Sequence, residues 1–509
     1  MNILLKRMLL SLSAFMLITV VSHGQKVAYA EPDREDFRQM QFEILGKMKG
    51  NFLVYKNYRS RHYVTVYDNE MKEVSKEELD FMPDRTINED FVSYPDYSLL
   101  VYQYQKRGII YCMGVKIGPD GKKMADPVQL DTTQIGIFGD NKIYSTVASE
   151  DKQKILVFKI KGKNKEHLTI TTLFFDPQLQ LLNKSRWNYT VDEREDLIND
   201  FAVSNNGDFA FTHSHRSQVR DNVARCWLVI KKMNDDPPKA TELPLKDIYL
   251  DEVRLKVDNY NKRFLVTSFY TKGKRGNIEG LYSAAADWEL TAPITGNTIE
   301  FGDDLRKQAK GDANYRMAFN DYFIKHIIIK GDGGFLLTSE SNYTTTRGST
   351  WNRWDYMWGN PFISPYDYYA WSPWNNWGWG WNRFSGMQSV RYYADNIMVI
   401  SVDNKGKMQW SNVINKSQFD DDTDNLLSYQ IINLGGEINF LFNEWQRRTP
   451  ILMAQSVSPD GKVNRMPPLK SMDRGYDLLI RLGKQVSAKQ LITPCIYRNY
   501  ITFAKIDFS

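Results

Sequence analysis

Phe91-Val-Ser-Tyr-Pro95-Asp96-Tyr-Ser-Leu-Leu-Val101 and Phe201-Ala-Val-Ser-Asn205-Asn206-Gly207-Asp-Phe-Ala-Phe211 are two versions of one phrase: an apolar strand, a tight turn and a second apolar strand. Related words introduce them, Ile87-Asn88-Glu89-Asp90 and Ile198-Asn199-Asp200. Similar turns fall near Glu150-Asp151, Asp258-Asn259, Gly331-Asp332-Gly333 and Gly435-Gly436, where Gly, Asn and Asp supply the backbone angles that tight turns require. With turn centres near residues 96, 151, 206, 260, 333 and 435, the intervals are 55, 55 and 54, then 73 and 102. A unit of about 55 residues therefore repeats along the chain, with two late insertions.

A second, less apolar hairpin alternates with the first. It is clearest in Val115-Lys-Ile-Gly-Pro119-Asp120-Gly121-Lys and Ile400-Ser-Val402-Asp-Asn404-Lys-Gly406-Lys-Met-Gln-Trp410. Others turn near Asn69, Pro177, Asp235, Ala286 and Pro459-Asp460-Gly461, making seven. Four short strands per unit, the inner pair more apolar than the outer, resembles the blade of a β-propeller. No WD, kelch or tryptophan-docking signature is present, so the resemblance is to the architecture over nearly the whole mature chain. It implies an all-β fold of seven four-stranded blades, closed by N- and C-terminal strands, in a single domain of residues 31–509. The outer hairpin at Tyr63-Val-Thr-Val-Tyr67 starts too early for a full inner pair before it. The tail, residues 491–495 and 500–507, is expected to supply that edge and close the ring, which removes exposed strand edges. A pair of β-sandwiches or an open solenoid would use similar strands.

Residues 1–24 have Lys6 and Arg7, then an apolar run over 8–21, then Ser22-His23-Gly24, the order of a secretory signal peptide. The run is shorter than the roughly 20 residues that span a bilayer. Cleavage is expected after Gly24, or as late as Ala30. The mature chain is expected to be exported, to the periplasm, the cell surface or the medium, and not to be an integral membrane protein. Losing Lys6 and Arg7 lowers the formal charge from +5 to +3, which offers no long-range attraction for nucleic acid. The runs Lys159-Lys161-Lys163-Lys165 and Lys272-Lys274-Arg275 are expected at solvated hairpin tips. Three cysteines, Cys112, Cys226 and Cys495, sit in or beside apolar strands, which argues against a disulfide framework.

Eight of the thirteen tryptophans lie between Trp351 and Trp381. This block, residues 343–390, has too much Gly, Pro and Asn for a helix and is expected to be an irregular loop joining the second and third strands of a blade. Two other long departures, 299–320 and 418–425, fall between blades, and in a propeller all three share one face. The candidate ligand-binding residues are Trp351, Trp354, Trp358, Trp371, Trp374, Trp377, Trp379 and Trp381 with Tyr366 and Tyr368, as stacking or anchoring rings, and Arg353, Asn375, Asn376 and Arg383 as polar fixing groups. The competing reading packs these rings into a miniature core.

His213-Ser214-His215 places two imidazoles on one side of a strand, where a shared metal competes with a hydrogen-bonded pair. Asp420, Asp422 and Asp424 have the opening spacing of a calcium loop, but Asn425 and Ile431 occupy the positions where an EF-hand needs Gly and Glu. A solvated acidic connection is favoured over a calcium site of another kind. No Gly-x-Ser-x-Gly, His-Glu-x-x-His or Walker loop occurs, so no catalytic residue is assigned and no cofactor is expected. The expectation is a non-catalytic binding or scaffold protein for an envelope or extracellular protein or peptide, with glycan binding or glycoside cleavage as the alternative.

Overall fold

The computed structural model describes residues 26–33, 40–135, 142–164, 167–192, 195–218, 221–234, 237–310, 315–346, 349–350, 390–421, 423–446, 449–468 and 475–508. Nearly every element is a strand, and every strand pairing is antiparallel. The first ladder runs Met40–Met48, Asn51–Tyr58, Arg61–Tyr67, Glu73–Glu78. The second runs Asn88–Ser93, Ser98–Lys106, Ile109–Ile117, Val128–Gln134. The third runs Tyr144–Ala148, Ile155–Asn164, His167–Phe175, Leu181–Thr190.

The fourth (Asp196–Val203, Phe209–Arg216, Val223–Lys231, Lys239–Glu242) and fifth (Arg254–Asp258, Arg263–Thr271, Ile278–Asp287, Thr295–Glu300) are joined into one nine-stranded sheet by the two-residue strand Tyr249–Leu250. The sixth has Tyr322–Ile329, Phe335–Thr346, Val390–Val402, Met408–Ile414, and the seventh Tyr429–Asn433, Ile438–Gln446, Thr449–Val457, Val463–Arg465. The fold is propeller-like: four-stranded antiparallel ladders follow one another along the chain.

The reason lies in the second strand of each unit. Strands such as Asn51–Tyr58 and Arg263–Thr271 are buried on both faces, because neighbouring ladders pack apolar side chains against each side. Leu53, Val64, Leu100 and Val115 pack the first ladder on the second. Phe158, Phe174, Phe209 and Phe211 pack the third on the fourth. Each such ring or branched side chain contributes roughly 1.5–3 kcal/mol on burial. Outer strands alternate or turn polar, as Glu73–Glu78 does. The inner turns also link along the series: Asn205 Oδ1 accepts from the Asp151 amide at 3.2 Å, and Asn259 Oδ1 accepts from the Asn205 amide at 2.8 Å.

Both termini depart from expectation. The first ladder has its own inner strand, Met40–Met48, which turns at Lys49 and Gly50, φ 48° and 92°. Two successive positive φ angles make the twist-matched hairpin turn, but Lys at the first position gives no warning of it. The tail therefore does not complete the first ladder. Tyr500–Asp507 and Gln490–Tyr497 form a ladder of their own, with Tyr476–Leu478 and Lys484–Ser487 on one side and Lys26–Tyr29 on the other, in the register Lys26↔Asp507 to Tyr29↔Ala504. This ladder packs on the seventh through Leu441 and Leu491, and on the first through Phe52, Ile492 and Phe503. Cys112, Cys226 and Cys495 are buried free thiols, in keeping with their apolar settings.

Candidate functional site

The second and third strands of the sixth ladder, Phe335–Thr346 and Val390–Val402, stay paired from Phe335↔Val402 out to Thr346↔Val390. They form a stem that carries the tryptophan block. The block's fourteen candidate ligand-binding side chains, from Trp351 to Arg383, lie outside the described residues. Their base does not. Tyr343 and Tyr393 stack across the stem at 4.5 Å and 9°, and the Tyr343 hydroxyl donates to Asp395 Oδ2 at 2.9 Å.

The other two insertions end on the same stem. Phe419–Asp421 adds to it as a short antiparallel strand, Arg391↔Asp421 and Tyr393↔Phe419. Arg391 grips Asp421 with two parallel bonds, Nε to Oδ1 at 2.7 Å and a terminal nitrogen to Oδ2 at 3.0 Å, and lies 4.8 Å over the exposed Phe419 ring. The helix Asp303–Lys310 arrives from the 299–320 insertion, where Asn396 Nδ2 donates to the Ala309 carbonyl at 3.0 Å. Three insertions that the propeller resemblance implied on one face thus meet at one structure. Arg391, Asp421, Tyr343, Tyr393 and Asn396 escaped the sequence reading because nothing local marks them; only the strand register brings them together.

Beneath the stem lies a buried charge cluster. Lys416 Nζ contacts Glu340 Oε1 at 2.7 Å and donates to the Ala394 carbonyl and Gln418 Oε1, both at 2.7 Å. Ser428 Oγ donates to Glu340 Oε2 at 2.5 Å. Burial opposes the Glu340 carboxylate, but the Lys416 and Lys325 ammoniums outweigh it and hold its pKa below the usual glutamate value.

Of the proposed calcium ligands, Asp422 lies outside the described residues. Burial foremost pushes the Asp420 carboxyl up to about 6, and Asp424 Oδ2 accepts from Arg481 at 2.8 Å. Among the described residues, no group of three or more His, Cys, Asp or Glu is placed to hold a metal.

His213 and His215 do face one side, and both are turned to Asp196. His213 Nε2 lies 2.9 Å from Oδ2, and His215 Nδ1 lies 2.7 Å from Oδ1. The other His213 nitrogen meets the Tyr189 hydroxyl at 2.8 Å, and Trp227 lies against the ring at 4.8 Å. Burial opposes the Asp196 carboxylate, but its bonds from His213, the Asp192 amide and His215 hold its pKa below the usual aspartate value. Lys159 is not a solvated tip. Its ammonium reaches Asp131 at 2.5 Å and Thr133 Oγ1 at 2.9 Å between the second and third ladders.

No family model and no curated protein sequence matches the chain. Similar solved structures include one from a study of two prolyl endopeptidases, 10% identical with a TM-score of 0.33, covering 86% of this chain and 55% of that one. The chain thus spans about half the length of that protein. A mutant apocarotenoid oxygenase from Synechocystis is 9% identical with a TM-score of 0.33, over 95% of this chain and 93% of that one. At these values the likeness has no bearing on activity. Among the described residues, no helix is long and apolar enough to cross a membrane.

Proposed function

We propose that this is an exported, non-catalytic binding or scaffold protein, in which the Trp-rich block of residues 343–390 takes hold of a protein or peptide partner. The observation that carries this reading is the convergence of three separate insertions on one stem, with stacked tyrosines, a two-bond Arg391–Asp421 pair and a helix end all bracing the base of the block. Structure of that kind suits a loop that must be presented in a fixed place, and aromatic rings beside Arg and Asn are the side chains that anchor protein interfaces.

The support on which the block stands is, in this reading, a closed ring. Counting the two halves of the nine-stranded sheet separately gives eight ladders among the described residues, and the apolar contact between the last and the first has the same character as those between the rest. The strand Lys26–Tyr29 then serves as the outer edge of the eighth blade. Signal cleavage after Gly24 keeps that strand, whereas cleavage after Ala30 removes it, so Gly24 is the site that fits the fold.

The test is capture from an envelope extract with the mature chain, beside a variant whose residues 351–389 are replaced by a short Gly-Ser bridge. Partners taken only by the intact chain, from two baits of equal thermal stability, are the expected result. Equal capture by both baits overturns the reading, as does a variant that no longer folds, which would make the block part of the core. Retention on a glycan array, with no protein captured, would give the block to sugars instead.

A further inference from the structure

The innermost strands of the fourth, fifth and sixth ladders line a cavity of about 490 Å³ that is broadly open to solvent. Its lining is mixed. Phe201, Ile324, Ile327 and Ile328 supply apolar surface, while Asp200, Arg254, Lys256, Lys325 and His326 supply polar groups.

The acids around this cavity are already committed. Asp200 sits in a register break of its strand at φ 55°, a left-handed conformation that Asp tolerates better than most residues. That break points its carboxylate at the next ladder, where Oδ2 accepts the Leu255 amide at 2.6 Å and Oδ1 lies 3.4 Å from Arg254. Glu252 pairs with the same guanidinium and accepts the Ile324 amide at 3.2 Å. Lys256 is solvent-exposed on the cavity wall. Lys325 stands 3.7 Å from Glu340, an acid that Lys416 and Ser428 already hold.

Next to Lys325 in sequence, the His326 ring meets Tyr429 of the seventh ladder edge-on at 5.8 Å and is neutral near pH 7. Burial first, and then the Lys325 charge, hold its pKa down at about 4, with Lys256 acting in the same direction. Lys256 has no ion-pair partner among the described residues, and Lys325 shares Glu340 with Lys416, so these two ammoniums are the least compensated charges on the cavity wall.

We infer that this cavity is a second ligand site, distinct from the tryptophan block, and that it takes a small organic anion with an apolar body. The anionic head lies between Lys256 and Lys325, within reach of the His326 ring, and the body lies against Phe201, Ile324, Ile327 and Ile328. An inorganic anion would leave the apolar wall unused. An organic cation would meet the lysines with the neighbouring acids already occupied.

Calorimetric titration of the mature chain at neutral pH with octanoate, acetate and octylammonium tests this. Octanoate is expected to bind one-to-one, at least about tenfold more tightly than either of the others. Lys256→Glu, at an exposed position, is expected to weaken octanoate by about tenfold or more without moving the thermal midpoint. In the unmodified chain, bound octanoate is expected to raise the pH at which the His326 ring titrates by NMR. The inference is overturned if octanoate does not bind, if octylammonium binds as tightly, or if a folded Lys256→Glu chain keeps the affinity. The comparison of octanoate with octylammonium needs no variant, and it decides the matter even if Lys256→Glu fails to fold.

Discussion

Lys416 and Glu340 meet at 2.7 Å with side chains 1% and 0% exposed, joining the segment after the sixth ladder to the root of the stem. An ion pair so buried recovers its desolvation cost only while every partner is present. Lys416→Met leaves Glu340 with Lys325, at 3.7 Å, as its remaining ion-pair partner, and Glu340→Gln leaves the Lys416 ammonium buried without its paired carboxylate. Each single change is expected to cost about 3–5 kcal/mol, and the double change Glu340→Leu/Lys416→Met much less than their sum. Thermal unfolding of the four chains checks this. Additive losses would mean that the two groups do not act as a pair.

His326 makes stability depend on pH in a direction that can be worked out. In the unfolded chain the imidazole takes its proton near 6.5, but in the fold only near 4, because burial opposes the charge. Between those values the unfolded state binds more protons, so this group's contribution is complete above about 6.5 and is lost as pH falls towards 4. It amounts to at most about 3 kcal/mol. Asp420 acts oppositely: its folded pKa of about 6 against 3.8 makes stability fall as pH rises between them. His326→Gln is expected to flatten the acid-side loss of thermal midpoint, and Asp420→Asn to steepen it. A midpoint profile from pH 4 to 7 that neither variant alters would refute both assignments.

Gly280 lies opposite Glu300 in the fifth ladder, and a Cβ placed there would sit 2.0 Å from the Ile299 carbonyl oxygen and 2.7 Å from the Tyr270 ring. A clash with backbone cannot be relieved by a rotamer change. Gly280→Ala is expected to cost about 1–3 kcal/mol or more, whereas Gly331→Ala, which meets nothing within 4 Å, is expected to be near neutral. Urea midpoints of the two variants make the comparison.

Removing residues 26–33 strips the outer strand from Tyr500–Asp507 and takes away Asp33, the buried Lys56 side chain's partner at 2.5 Å. A bare antiparallel edge invites other chains to pair with it. The truncated chain is expected to melt earlier and to form oligomers in light scattering, whereas a chain beginning at Gln25 stays monodisperse. Identical behaviour of the two would show that the strand is dispensable.

The fold was legible where turn chemistry is explicit. The inner turns inferred near residues 96, 151, 206, 260, 333 and 435 all fall between paired strands; Gly207, Gly333, Gly435 and Gly436 take the positive φ angles their type announces, although Lys152 and Lys262 take them in two of the others. Lys49-Gly50 announces less, so the first inner strand was missed, and with it the N-terminal partner of the last strand. The site was legible only as a meeting of insertions. Its working contacts, Arg391 with Asp421 and Asn396 with Ala309, depend on a register that no local pattern encodes. Asp196 was equally hidden, although its place opposite His215 decides what both histidines do.

The hydrogen bond from Thr502 to the Ala30 carbonyl, at 2.7 Å, joins residues 472 positions apart. A chain emerging N-terminus first, from a ribosome or a membrane pore, holds Lys26–Tyr29 without a partner until Tyr500–Asp507 has appeared. Intermediate ladders can zip onto their neighbours meanwhile, yet this docking step has to await about 480 further residues. Folding of the early part is thereby timed by a strand made long after it, which leaves the first strand loose while the intervening ladders form and locks it afterwards.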